Sequence, residues 1–166
     1  PNKQKARIRS GIHLSQADIR NLQISECKEA NPSITFRYTA TSNQYGHKTG
    51  NRLFIPANVF RKEFSVPPLT KRTYPIHIDY GYTDTDSIRI QLPEGYVIEG
   101  LPKPLDVKSK FGSFHSDIQV KDKKICIVHR LFMSKGVYSP DEYAAFIDFR
   151  KQVAGQYGGK IILKKE

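Results

Sequence analysis

Asp86-Ser-Ile-Arg-Ile-Gln-Leu-Pro-Glu-Gly-Tyr-Val-Ile-Glu-Gly-Leu-Pro102 decides the fold class. Ile88, Ile90 and Leu92 fall on one face and Ser87, Arg89 and Gln91 on the other, the period of two of a strand with one buried and one wet side. Pro93 presets φ at the second position of a four-residue turn ending at Gly95. The chain is therefore expected to reverse as a hairpin into a second strand over Tyr96-Val97-Ile98-Glu99.

The same alternation recurs on both sides of this stretch. Ala6 and Ile8 alternate with Lys5, Arg7 and Arg9, and Ile34, Phe36, Tyr38 and Ala40 alternate with Thr35, Arg37, Thr39 and Thr41, so both read as half-solvated strands. Asp18 to Ser25 reads as a strand between them, separated from the next by Asn31-Pro32. Arg52-Leu-Phe-Ile55 is a short apolar strand ended by Pro56, and Asn58 to Phe64 has room for one helical turn. Val66-Pro-Pro-Leu69 is the stiffest, most linker-like point. Beyond it Ile76, Ile78, Tyr80 and Tyr82 share a face, and strands are expected at Leu105 to Lys110, Ser113 to Val120 and Lys124 to Met133.

Short strands with turns at this spacing predict a mainly β chain, an antiparallel β-sandwich of immunoglobulin-like or related type. One segment departs from the pattern. Ser139-Pro140-Asp141-Glu142 combines a capping serine, a first-turn proline and a glutamate three residues on, which predicts one α-helix over about 140–154. Gly155 is placed to end it in a left-handed cap, before a last strand over Lys160 to Leu163.

At 166 residues the chain is long enough to fold without disulfides or metals. It reads as a fragment of something longer, since it has no initiator Met and no signal peptide. No apolar run is long enough to span a bilayer. Cys27 and Cys126 lack a CxxC partner; a bridge between them is one reading and a free, buried cysteine the commoner one. The net charge of +11 raises an acidic polymer as partner. Most basic residues, however, sit in turns or alternate with apolar ones, the ordinary wet side of a sheet, which argues against nucleic acid.

No catalytic, cofactor-binding or metal residue is assigned. Cys126 and His129 are three apart on a strand and face opposite ways, and Cys27 has no surroundings that would make a thiolate. His13, His47, His77, His115 and His129 are scattered without zinc spacing. Asp79, Asp84 and Asp86 surround Gly81 without the calcium-loop spacing, and read as a polar hairpin loop. In Lys108-Ser-Lys-Phe-Gly-Ser-Phe-His115, Gly112-Ser113 reads as a turn and Phe111 and Phe114 as core plugs rather than an RNA-stacking strand.

From Arg72 onward the chain resembles a known family: the C-terminal domain of unknown function that follows a transglutaminase-like, papain-like domain in large exported proteins of Gram-negative bacteria. The resemblance rests on Arg72-Thr-Tyr-Pro-Ile76, Asp86 to Tyr96, Glu99-Gly-Leu-Pro102, Phe111-Gly-Ser-Phe114, Arg130, Tyr143 with Phe146, and Ile162-Leu-Lys-Lys165. It implies a C-terminal β-sandwich over residues 67–166, with 1–66 a β-rich connector or the first part of one continuous domain. It also implies a non-catalytic accessory role beside an upstream transglutaminase-like domain of the same chain, and a periplasmic or cell-envelope location. The family's cysteine-type machinery has no matching position here. Binding of an acidic polymer, nucleic acid or anionic glycan, is the alternative function.

Overall fold

The computed structural model describes residues 2–12, 14, 16–30, 32–60 and 71–166, which fall into two compact units. The first holds helix α1 (Asn2–Ser10) and strands β1 (Asp18–Cys27) and β2 (Ser33–Thr41). The alternation at Lys5 to Arg9 therefore belongs to a helix, not a strand. Asn2–Ser10 is mostly Lys, Gln, Ala and Arg, all strong helix formers, and Arg7 and Arg9 in the last turn complement the helix dipole. Ile8 on the helix and Ile12, just past its end, enter a small core with Ala17 and Ile19. β1 and β2 pair antiparallel from Asp18 opposite Thr41 to Cys27 opposite Ser33, with an irregularity between Arg20 and Gln23 where Asn21 takes φ 52°.

The second unit is built on β3 (His47–Thr49), β4 (Arg52–Pro56), β5 (Ile76–Ile78), β6 (Tyr82–Gln91), β7 (Tyr96–Gly100), β8 (Leu105–Ser109), β9 (Gly112–Lys121), β10 (Lys124–Met133), β11 (Gly136–Tyr138), helix α2 (Tyr143–Tyr157) and β12 (Lys160–Lys165). Two four-stranded sheets, ordered β6-β10-β9-β8 and β3-β4-β12-β7, and a β11-β5 ribbon hold them, all described pairings being antiparallel. This is the expected mainly β class.

The opening stretch is not a hairpin. β6 joins β10 and β7 joins β12, so the Pro93-Glu94-Gly95 turn carries the chain from one sheet to the other. Backbone bonds outside the turn fix it: Leu92 N–H donates to Lys123 C=O at 2.9 Å and Glu166 N–H to Gly95 C=O at 2.9 Å. Gly95 takes φ 71°, which a side chain would resist. Both strands keep the expected alternation; only the partner differs.

β10 carries the deepest face of the unit. Ile125, Ile127, His129, Leu131 and Met133 are all buried, while the intervening residues face outward or are half-buried. α2 closes over the Leu131 and Met133 end with Tyr143, Phe146, Ile147, Phe149 and Val153, against Phe111 and Phe114 of the β8–β9 corner. Its start is as expected: Ser139 N–H donates to the Glu142 carboxylate at 2.9 Å and Pro140 opens a 3-10 turn. Its end is not. The helix passes through Gly155 to Tyr157 and Gly158 closes it at φ −82°, donating to Ala154 C=O at 2.9 Å, so no left-handed cap is used. Of the expected turn over Asn58 to Phe64, Asn58 and Val59 are not helical and Phe60 forms an isolated bridge to Ile12. The rest of that segment, with Val66-Pro-Pro-Leu69, lies outside the described residues.

Candidate functional site

The candidate residues are dispersed. Cys27 is exposed on β1 and Cys126 half-buried on β10, both free, and Cys126 points away from the face that holds His129. His47 and His77 are exposed; His115, also exposed, has Nδ1 3.6 Å from the Asp106 carboxylate; His13 is outside the described residues. Phe111 and Phe114 plug the core as expected, Phe111 meeting Tyr138 and Phe146 edge-on at 4.7 and 5.1 Å. Among the described residues no group of three or more His, Cys, Asp or Glu is placed to hold a metal.

Asp84 and Asp86 correct the loop reading. They lie inside β6, in phase with Ile88 and Ile90, and Asp86 is buried. Asp86 pairs across the sheet with His129, and His129 with Ser116 on the next strand. Residues opposite one another in adjacent strands share a face with Cα atoms about 4.5–5.5 Å apart. The three thus form one polar row across an otherwise apolar face. Asn58, after β4, completes it by donating its amide to Asp86 Oδ2 at 3.0 Å and lying 3.4 Å from His129 Nδ1. With the amide's donor end held by the carboxylate, the contact to Nδ1 suits the imidazole tautomer that carries its proton on Nε2. The Tyr157 ring packs edge-on at 5.4 Å from His129 and 5.5 Å from Phe114. Burial, and then the charges of Asp84 and Asp86 with Tyr82, push its phenol well above the usual tyrosine range.

Asp, His and Ser in sequence across three strands are the residue types of a nucleophilic relay. Their placement argues for a structural role instead. Ser116 and His129 are each 1% exposed and face the packed core, so no substrate carbonyl can reach Ser116 Oγ, which is buried without a bonding partner. The row is a buried polar seam in which the Asn58 amide supports both the carboxylate and the imidazole. The sequence reading missed it because its members are 28 and 43 residues apart; the available signal was His129 standing in phase with Ile125, Ile127 and Leu131.

Several of the residues that carry the family resemblance are absorbed by the fold, while Arg130 is exposed on β10. Arg72 donates to the carbonyls of Tyr74 at 2.8 Å and Pro75 at 3.1 Å and stacks over Tyr143 at 5.7 Å. Glu99 receives two bonds from Arg52, at 2.5 and 2.7 Å. A Cβ on Gly100 would sit against the Ile162 side chain, and one on Gly112 would stand 1.9 Å from Phe132 O. Nothing in this set converges on one point.

No curated protein sequence matches the chain. A crystal structure described as "a putative protease" from Parabacteroides distasonis is similar in fold, with a TM-score of 0.56 at 12% identity. The similarity covers 67% of this chain and 23% of that one, so the shared part is a fraction of a much longer protein. Residues 51–163 match the family described as a domain of unknown function with a solved structure, DUF3858. The chain belongs to the DUF3858 family.

Proposed function

We propose that this chain is a non-catalytic accessory β-module of a larger, exported transglutaminase-like protein, where it serves as scaffold or positions a protein substrate for an upstream domain. The observation that carries the proposal is how the signature residues are spent. Arg72, Glu99, Gly95, Gly100 and Gly112 serve local backbone geometry or ties between strands of one sheet, and the Asp-His-Ser row found among the described residues is sealed in the core. The similar fold within a longer protein described as a protease supports a module that works beside a catalytic domain. A cell-envelope location and an upstream catalytic partner belong to the same proposal. The test uses the longer protein with residues 51–163 intact or removed. Removal lowers yield, lifetime or capture of large substrates and leaves turnover of a small peptide substrate unchanged. Peptidase or transferase activity in the 166-residue chain, abolished by Ser116→Ala or His129→Gln while the fold persists, would overturn it.

A second reading rests on the β9–β10 hairpin tip, where Lys121 stands directly opposite Lys124 with Lys123 in the turn between them. Like charges in opposed positions cost stability, and an anionic polymer would relieve them. That reading requires binding to heparin or nucleic acid that falls steeply with salt. It also requires that binding weaken on Lys121→Gln and Lys123→Gln together.

A further inference from the structure

The wet face of the β6-β10-β9-β8 sheet turns basic at its β9–β10 turn end. There Lys124 stands opposite both Gln91 and Lys121, and one step along β10 Cys126 stands opposite both Arg89 and Gln119. Cys126 is half-buried and the other five are exposed. These six side chains form a grid of two rows over three strands, about 5 Å between neighbours across the sheet and about 7 Å along it. Lys123 extends the grid into the turn. Among the described residues none of Arg89, Lys121, Lys123 and Lys124 is in an ion pair. Two acids stand near, Asp122 in the turn and Asp117, whose Oδ2 accepts from Gln119 Nε2 at 2.8 Å. Gln91 Nε2 donates in the same way to Lys123 C=O at 3.2 Å. Both glutamines thus use a donor inside the protein and keep Oε1 as an acceptor beside the cations.

We infer that this grid binds an anionic glycan, a polymer that carries carboxylate or sulfate groups together with sugar hydroxyls. The inference rests on the polyanion reading of the β9–β10 tip and gives it a ligand class and a surface. Lys121 and Lys124, held directly opposite each other, repel until an anion lies between them. The glutamine acceptors call for hydroxyl donors, which a sugar supplies and a DNA phosphodiester backbone does not. The grid has no aromatic ring on which a base could stack, and a flat sheet face has no helix or ribbon to enter a duplex groove. Nor does it resemble a face that another protein surface covers, since lysine is depleted and aromatic residues are enriched at such interfaces. The β9–β10 ladder and the bond from Leu92 N–H to Lys123 C=O at 2.9 Å hold the grid in place before any ligand arrives, so binding orders little.

Titration calorimetry of the whole chain at low salt tests this with four probes: heparin and hyaluronan oligosaccharides, which separate sulfate from carboxylate, and charge-matched single- and double-stranded DNA. At least one glycan should bind about tenfold or more tighter than either DNA, and added salt should weaken it. Lys121→Gln with Lys124→Gln should weaken that glycan by more than about tenfold. Lys135→Gln with Lys151→Gln, which removes the same charge from exposed positions elsewhere, should leave it within about twofold. Gln91→Ala removes an acceptor and no charge; it should weaken the glycan about three- to tenfold and leave DNA unchanged. DNA binding as tight as either glycan, or glycan binding indifferent to Gln91→Ala, would overturn the glycan assignment and leave the polyanion reading standing. Equal losses from the two lysine pairs, or no binding to any of the four probes, would overturn both.

Discussion

β10 and β2 carry the same alternation and meet opposite fates. Every inward residue of β10 from Ile125 to Met133 is buried, whereas on β2 Ile34 and Phe36 are exposed and Tyr38 and Ala40 only half-buried. The difference lies in what surrounds each strand. β10 has β6 on one side, β9 on the other and α2 over its end, while among the described residues β2 has β1 alone and a short helix over half its length. Alternation reports that a strand has two unlike faces. Whether a second layer covers the apolar one is a property of the topology.

The largest break in this comparison should come from Gly112, at the corner where β9 starts along β10. Its φ of 150° and the position of Phe132 O, 1.9 Å from where a Cβ would stand, leave no room for a side chain. Gly112→Ala must displace the β9–β10 ladder or the corner beneath Phe111. A loss of more than about 3 kcal/mol, or failure to fold, is expected by urea denaturation. A loss under about 1 kcal/mol would mean the corner is not as tight as the backbone implies.

A matched pair of truncations measures the difference in depth directly. Leu131→Ala removes a side chain that sits beside Phe114 on the sheet face in one core cluster with the α2 residues, and should cost about 2–5 kcal/mol. Ile34→Ala, made on the exposed half of β2, should stay within about 0.5 kcal/mol. Equal costs at the two sites would show that β2 is covered within a single chain.

What was legible in the sequence follows the same line. Most strands from Arg52 onward, though neither β11 nor the break at Asp79 to Gly81 that parts β5 from β6, were readable with the Ser139 to Glu142 helix start and the Phe111 and Phe114 plugs, because their signals are local: period, cap and turn. Three features were not. Lys5 to Arg9 satisfies a period of two by composition, although the segment is made mostly of strong helix formers and only Ile8 of it enters the small core with Ile12 and Ile19. The Pro93 to Gly95 turn reverses the chain equally well into the same sheet or the facing one, and the choice is made by distant bonds from Leu92 to Lys123 and from Glu166 to Gly95. The Asp86, His129, Ser116 and Asn58 row needs the register of three strands before its members are neighbours, and no short motif encodes that.

The β9–β10 turn offers a change in the stabilising direction. Asp122 and Lys123 both sit in the left-handed region, at φ 50° and 58°, as a two-residue hairpin of this twist demands. Lysine pays for that conformation with its Cβ, and glycine does not. Lys123→Gly keeps the carbonyl that accepts from Leu92 N–H at 2.9 Å and from the Gln91 amide at 3.2 Å, because both bonds reach the backbone. A gain of about 0.5–1 kcal/mol is expected, limited by the extra freedom glycine gives the unfolded chain. A net loss would show that the Lys123 side chain contributes more at the tip than its backbone costs.

The smallest effect should come from the tie between β4 and β7, which lie on either side of β12. Arg52 donates to both oxygens of Glu99, and this hydrogen bond is the main reason the Glu99 carboxyl is held below the usual glutamate range; burial opposes it, and the charges of Arg52 and Lys164 assist. Because the folded value is the depressed one, the contribution of Glu99 is fully present above the ordinary glutamate pKa of about 4.3 and is lost as pH falls through the folded value. Glu99→Gln should therefore lower the unfolding midpoint slightly near neutral pH, and the two proteins should converge in acid. Added salt should shrink the neutral-pH difference, since the pair is solvent-exposed and screened. A difference that persisted unchanged in acid would assign the effect to packing of the Glu99 side chain rather than to its charge. The sheet containing β7 would then be held in the same way as the β10 face, by contact rather than by ionic ties along its rim.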